Sequence, residues 1–343
     1  MIPSVPGVID ADEVLATARH IAALQLPNGM IPWFRGGHCD PWNHVETAMA
    51  LDVAELHDEA AAAYRWLRAA QRPDGSWHNY YLADGVEDAK LDTNVCAYVA
   101  TGVWHHWLCT GDERLVDIMW PVVARAIDWV LDLQTPRGEV VWAREVGSMP
   151  WTYALLTGSS SIAHSLACAV DLAALVDEER PDWELALVNL TEVIRTRPDA
   201  FADKRRWAMD WYYPVLAGVL TGDAARARLA GGWSRFVMAG RGVRCVSDEP
   251  WVTAAETAEC ALAHLAAGDA DAAGALLAWT RAHRCPDGAY LTGLVYPQVV
   301  AFPSHERTAY TGAAVILAAD AMSGASPASG LFVPAAALAD PEV

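Results

Sequence analysis

The stretch Gln71-Arg72-Pro73-Asp74-Gly75-Ser76-Trp77 decides the fold. It follows an apolar helix end, Tyr64-Arg65-Trp66-Leu67-Arg68-Ala69-Ala70, and it stops that helix: Pro73 cannot continue it, and Gly75 supplies the positive φ of a turn. The same frame, Gln with Pro two positions on and Gly four positions on, returns as Gln25-Leu26-Pro27-Asn28-Gly29 and Gln134-Thr135-Pro136-Arg137-Gly138. A degenerate copy is Arg284-Cys285-Pro286-Asp287-Gly288. A unit that recurs along most of a chain marks a repeat architecture.

Helices that open on polar residues and continue with small apolar ones also recur. Six such openings stand at Trp42–Met49, Leu91–Tyr98, Ser159–Leu166, Trp207–Tyr213, Thr253–Cys260 and Ser304–Tyr310. Several of these helices run to a glycine, Gly111, Gly222 or Gly268, read as a C-cap. Between them lie six amphipathic segments, roughly 11–25, 58–71, 113–134, 182–197, 223–238 and 270–284. A helix apolar on all sides must be buried, so six buried helices wrapped by six amphipathic ones predict an all-α fold, an (α/α)6 toroid of six helical hairpins. No linker splits the chain, which predicts one domain over residues 1–322 and an Ala/Pro/Ser-rich tail over 323–343, a loose cap or a disordered end. Val140–Trp142 and Val243–Val246 read equally as short strands or as irregular loop.

Composition narrows the function. Of 343 residues, 53% are apolar, and 43 acidic against 24 basic residues give a net charge of −19. Such a chain is repelled by phosphate backbones and anionic lipid, so neither nucleic acid nor a membrane is expected as a partner. There is no signal peptide and no apolar run of about 18 residues, which points to the cytoplasm. The seven cysteines form no Cys-x-x-Cys pair and read as reduced thiols. No phosphate-binding loop, dinucleotide fingerprint or convincing metal-ligand spacing occurs, so no cofactor and no metal are expected. Trp occurs 16 times and Phe only 5 times, and indoles supply flat faces with a polar edge that suit sugar stacking, cation stabilisation or core filling.

In a toroid the openings of the inner helices line one central pocket. The catalytic candidates are four carboxylates: Asp210 or Glu46 as general acid, Glu256 or Asp92 as base. Asp210 lies in the aromatic run Trp207 to Tyr213, where a caged carboxyl has a raised pKa. Glu256 and Glu259 share a face of an otherwise apolar helix, so either Arg244 or Arg307 satisfies them or they serve chemistry. Substrate-binding candidates are Trp42, Asn43, His44, Asn94, Tyr98, His164, Trp211, Tyr212, Glu259, His305 and Tyr310. Plainer roles stand beside these. Asp40, Asp92 and Ser304 fit helix N-caps, and His164 and His305 fit hydrogen-bonded core histidines.

The Gln-x-x-x-Gly-x-Trp form at Gln71–Trp77 resembles the QW repeat of terpenoid cyclases and protein prenyltransferases. The six-hairpin layout, with its Pro-Asp-Gly-Ser-Trp turn, equally resembles six-hairpin glycosidases. The first resemblance implies carbocation chemistry on an isoprenoid, and the second implies acid/base hydrolysis of a glycosidic bond. The cyclases' Asp-x-Asp-Asp donor has only Asp10-Ala11-Asp12-Glu13 as a counterpart, on an amphipathic helix. A pocket of several carboxylates, amides and aromatic faces fits a polyhydroxylated small molecule, a sugar or glycoside. The expectation is therefore a carbohydrate-active hydrolase. The alternatives are a cyclase or prenyltransferase-like enzyme and a non-catalytic binding toroid.

Overall fold

The computed structural model describes residues 1–333. Thirteen α-helices occur among them: α1 (Ala11–Ala22), α2 (Pro41–Val53), α3 (His57–Ala70), α4 (Thr93–Ala97), α5 (Val99–Thr110), α6 (Glu113–Leu131), α7 (Leu156–Leu175), α8 (Pro181–Thr196), α9 (Ala208–Leu216), α10 (Gly222–Phe236), α11 (Ala254–Ala266), α12 (Ala270–Trp279) and α13 (Ala309–Ser323). The six amphipathic segments of the sequence are α1, α3, α6, α8, α10 and α12. Each buries one stripe, as α6 does with Leu115, Met119, Val122, Val123, Ala126, Ile127 and Val130. The apolar helices bury themselves all round: in α13 every residue from Thr311 to Ala321 is buried. Gly111 ends α5 in the left-handed conformation, whereas Gly222 opens α10 instead of closing its predecessor.

The chain divides into two compact units. One holds residues 25–48 and 57–204; the other holds 1–24, 49–56 and the described residues from Arg205 onward.

The expectation of helix alone needs correction, because the loops carry three small antiparallel sheets. Strand β1 (Tyr80–Leu82) pairs with β2 (Gly85–Asp88), and β3 (Leu91–Asp92) pairs with β4 (Ala143–Arg144). The third sheet has five strands in chain order, β5 (Val237–Met238), β6 (Gly242–Arg244), β7 (Trp251–Thr253), β8 (Gly293–Val295) and β9 (Val300–Phe302). Of the two segments left open by the sequence, 243–246 lies partly in β6, and 140–142 immediately precedes β4. Strands of two to four residues leave too little alternation to read. Residues 324–333 of the expected tail are not loose. Ser326 donates its main-chain N–H to Asp320 Oδ1 at 2.8 Å, and Ala328 and Val333 are buried. Residues 334–343 lie outside the described residues.

The repeated turn works as a clamp. Gln25 Nε2 donates to the carbonyls of Gly29 (3.0 Å) and of Glu59 on α3 (2.9 Å). Gln71 Nε2 donates likewise to Gly75 (2.9 Å) and Val122 on α6 (2.8 Å), and Gln134 Nε2 to Gly138 (2.9 Å) and Ala186 on α8 (3.0 Å). Each glutamine amide thus closes its own turn and ties it to the next amphipathic helix. The glycines lie against that same helix: a Cβ on Gly29 or Gly75 would collide with the Ala62 or Arg125 carbonyl, and one on Gly138 would stand 2.9 Å from the Asn189 carbonyl oxygen. In the degenerate copy the donor comes from the other side. Thr17 of α1 donates to the Gly288 carbonyl at 2.8 Å, and a Cβ on Gly288 would stand 2.7 Å from the Ala16 carbonyl.

Gly75 has φ +94° as well as this contact. We expect Gly75→Ala to lower unfolding free energy by about 2 kcal/mol or more, from left-handed strain plus collision. Gln71→Ala, which frees two carbonyls at a half-buried site, should cost less, about 1–2 kcal/mol. Urea denaturation of both variants checks the order.

Candidate active site

In the 25–204 unit the openings of two apolar helices gather three buried carboxylates. Asp40 stands just before α2. Its Oδ1 accepts the Asn43 main-chain N–H (3.0 Å), and its Oδ2 accepts the Asn43 side-chain amide (2.7 Å) and the Trp33 indole N–H (2.7 Å). Asp92 caps α4 in the same manner. Its Oδ1 accepts the N–H groups of Asn94 (3.0 Å) and Val95 (3.3 Å), and its Oδ2 accepts the Trp142 indole N–H. The capping reading of both aspartates therefore holds. Each also has an indole on its second oxygen, which a cap does not require.

Glu46, one turn into α2, is bound differently. Its Oε1 accepts the Trp42 indole N–H at 2.9 Å and the Tyr98 hydroxyl at 3.4 Å, while its Oε2 has no hydrogen bond among the described residues. Burial, and then the charge of Asp40, push its pKa up to about 8. Burial also raises Asp40 and Asp92, against the donors that favour their charged forms. Tyr80 is pushed up to about 12 by burial and then by the charges of Asp40 and Asp92, so both carboxylates act on one ring.

The other candidates of this unit fall into place around these groups. Trp42 and Asn43 serve Glu46 and Asp40, and Tyr98 is buried with its ring 5.8 Å from that of Trp42. Asn94 is buried, and its Oδ1 has no hydrogen-bond partner among the described residues. His44 departs from expectation. Its Nδ1 accepts the Ile31 N–H (3.2 Å), its Nε2 lies 3.0 Å from the Ala63 carbonyl, and burial lowers its pKa to about 4. It is a neutral core histidine joining a turn to α3, with both nitrogens occupied. His164, half-buried on α7, is also held neutral, at about 4, by burial.

In the unit that includes residues 205–333, Asp210 is buried and the aromatic side chains around it face several ways. Trp207 is 47% exposed, Trp211 stacks on Phe236 at 5.3 Å and donates to the Arg228 carbonyl, and Tyr212 turns its hydroxyl to Glu259. Asp210 lines a cleft of about 290 Å³ with Trp211, Phe236, Arg205, Arg228 and Arg235. The reason is local. Pro214, four residues on, has no N–H to give the Asp210 carbonyl, and Arg228 Nη2 fills that gap at 2.6 Å. Glu256 opens α11 half-buried, and burial raises its pKa. Glu259 accepts the Tyr212 hydroxyl, while the two arginines named for it are engaged elsewhere: Arg307 pairs with Asp287 at 2.6 Å, and Arg244 donates to the Arg235 carbonyl. His305 is exposed in a turn before α13, and Ser304 lies in that turn with φ +48°, so neither opens the helix; Thr308 does, followed by half-buried Tyr310. Among the described residues, no group of three His, Cys, Asp or Glu side chains is placed to hold a metal ion.

Sequence reasoning does not single out Trp33, Tyr80 or Trp142. Trp33 and Trp142 lie outside the helices and strands, Tyr80 opens the short strand β1, and Trp142 stands 50 residues from the aspartate it holds.

Comparison with known proteins decides the family. The chain is 53% identical over 331 residues to the MMP endo-(1,4)-3-O-methyl-alpha-D-mannosidase of Mycolicibacterium hassiacum, an alignment covering 96% of this chain and 92% of that protein. The chain belongs to the family of that mannosidase. It is a glycoside hydrolase-like enzyme. Among solved structures, a wild-type glycosidase superimposes with TM-score 0.71 at 15% identity, over 93% of this chain and all of that one (100%). The GH63 mannosylglycerate hydrolase from Thermus thermophilus, solved with glucose, gives TM-score 0.65 at 12% identity over 89% and 99%. These structures share the fold. No family model matches the chain. The cyclase and prenyltransferase resemblance gains no support from these relatives.

The folded-state pKa of Glu46 lies above its ordinary value. Its contribution to stability is therefore complete below about pH 4.5 and is lost as pH rises towards 8. We expect wild-type unfolding free energy, measured by urea at pH 5, 6, 7 and 8, to fall relative to Glu46→Gln by about 1 kcal/mol per pH unit. Parallel curves for the two proteins would contradict a protonated Glu46.

Proposed function

We propose that this enzyme hydrolyses internal α-(1,4) bonds of a 3-O-methylated mannose oligosaccharide by acid/base catalysis. The substrate class rests on the relative of 53% identity. The observation that carries the mechanism is Glu46, a buried carboxyl with one oxygen anchored by an indole and a phenol and the other free. Held protonated near neutral pH, Glu46 gives its proton to the glycosidic oxygen as the bond from that oxygen to the anomeric carbon breaks. Asp92, at the opening of α4 in the same unit, takes a proton from the water that adds to the anomeric carbon. Asp40 and Asp92, each fixed by three donors, hold the helix openings and keep negative charge near the oxocarbenium-like centre.

We further propose that the long helices are laid out as the helical hairpins of an (α/α)6 fold. The turn clamps support it, since each links one amphipathic helix to the next and the copy at Gly288 reaches α1. The TM-score of 0.71 to a glycosidase supports it too. A reducing, cytoplasmic setting agrees with seven free thiols, and no described helix is long and apolar enough to cross a membrane.

We expect Glu46→Gln to lower turnover of an α-(1,4)-linked 3-O-methylmannose oligomer about 10³-fold, without loss of thermal stability. Asp210→Asn should keep activity within a few-fold of wild type. Glu46→Gln with near wild-type turnover would refute the acid assignment, and an inactive, folded Asp210→Asn would return that role to Asp210.

A further inference from the structure

The hairpin over residues 142–153 carries three half-buried aromatic rings. Its base is pinned beside Asp92. Strand β4 pairs with β3, placing Ala143 opposite Asp92. Thr93 donates its main-chain N–H to the Trp142 carbonyl (2.9 Å) and its hydroxyl to the Val141 and Trp142 carbonyls (2.9 and 2.8 Å). The two arms then bond to each other, Trp142 N–H to the Tyr153 carbonyl at 3.0 Å and Trp151 N–H to the Ala143 carbonyl at 2.9 Å.

On this frame Trp142, Trp151 and Tyr153 form a cluster, each half-buried, with ring centroids 4.7 Å (Trp142–Trp151), 5.6 Å (Trp142–Tyr153) and 5.8 Å (Trp151–Tyr153) apart. The two contacts of Tyr153 are tilted by about 45°, so the rings bound a notch and not a flat stack. Burial, and then the charge of Asp92, raise the Tyr153 pKa. Lys90 sets its ammonium 4.5 Å above the Trp142 ring centre. That contact shows an indole face open to a positively polarised group.

We propose that Trp142, Trp151 and Tyr153 form the subsite that recognises the methyl ether of a 3-O-methylated sugar ring. The proposal rests on the hydrolase reading above. A methyl ether replaces a hydroxyl donor with an apolar, positively polarised CH₃ group, and an aromatic face with no hydrogen-bond partner to offer favours the first over the second. A face that accepts the Lys90 ammonium accepts such C–H groups when a sugar displaces it. Rigid anchoring at Thr93 and Asp92 gives the notch a fixed register on the ring.

The test compares an α-(1,4)-linked 3-O-methylmannose oligomer with its unmethylated counterpart of equal length. Binding is measured by calorimetry on the Glu46→Gln background, and turnover on the active enzyme. With Trp151 and Tyr153 intact, the methylated oligomer should bind about tenfold tighter or better. Trp151→Ala and Tyr153→Ala should each raise KM for the methylated oligomer, hold kcat within a few-fold, and bring the two oligomers to equal affinity; Trp151→Phe should restore most of the preference. A preference that survives both alanine variants, or no preference with both rings intact, overturns the subsite. Preferential binding of the methylated oligomer without cleavage by the active enzyme would overturn the hydrolase reading and uphold the subsite.

Discussion

A glycine α-carbon pressed against the carbonyl of a neighbouring helix is the contact on which the rest of this structure depends. At Gly29, Gly75 and Gly138 the chain ends one amphipathic helix by lying directly on the next, closer than any side chain permits. The glutamine four residues earlier reads the same two surfaces, with one donor for its own turn and one for the neighbour. Spacing between helices is therefore set by backbone on backbone, not by side-chain volume. A turn fixed that tightly holds the loops that follow it, and those loops carry Trp33 and the residues leading to Asp92. The precision available at the carboxylates is inherited from the turns.

Around those carboxylates, the count of donors separates roles that residue type leaves equal. Asp40 and Asp92 each receive three N–H donors and have both oxygens occupied. Glu46 receives an indole and a hydroxyl on one oxygen and nothing on the other. Burial raises all three, but only Glu46 also carries a neighbouring negative charge among its leading causes without a main-chain donor to offset it. The proposed mechanism uses this difference, since general acid catalysis needs one group that holds a proton beside another that holds a charge. At Asp210 the same logic gives the opposite result. A proline four residues on leaves its carbonyl without a partner, an arginine supplies one, and guanidinium groups collect in the cleft that the carboxylate lines.

The helices were legible because their causes are local. Proline and glycine at fixed offsets, a stripe of apolar residues at helical spacing, and an aspartate before an apolar run act within one or two turns of chain, and α1, α3, α6, α8, α10 and α12 stand where that pattern puts them. The acidic composition and the concentration of candidate carboxylates at apolar-helix openings follow from sequence for the same reason. Tertiary structure alone decided the partners. No local rule joins Trp142 to Asp92 across 50 residues, turns His44 inward to Ile31 and Ala63, or assembles five strands of two or three residues each into a sheet. Whether a buried carboxyl is a cap, a proton donor or an arginine's partner depends on which donors reach its two oxygens, and those donors come from loops whose positions the chain acquires only when its helices pack.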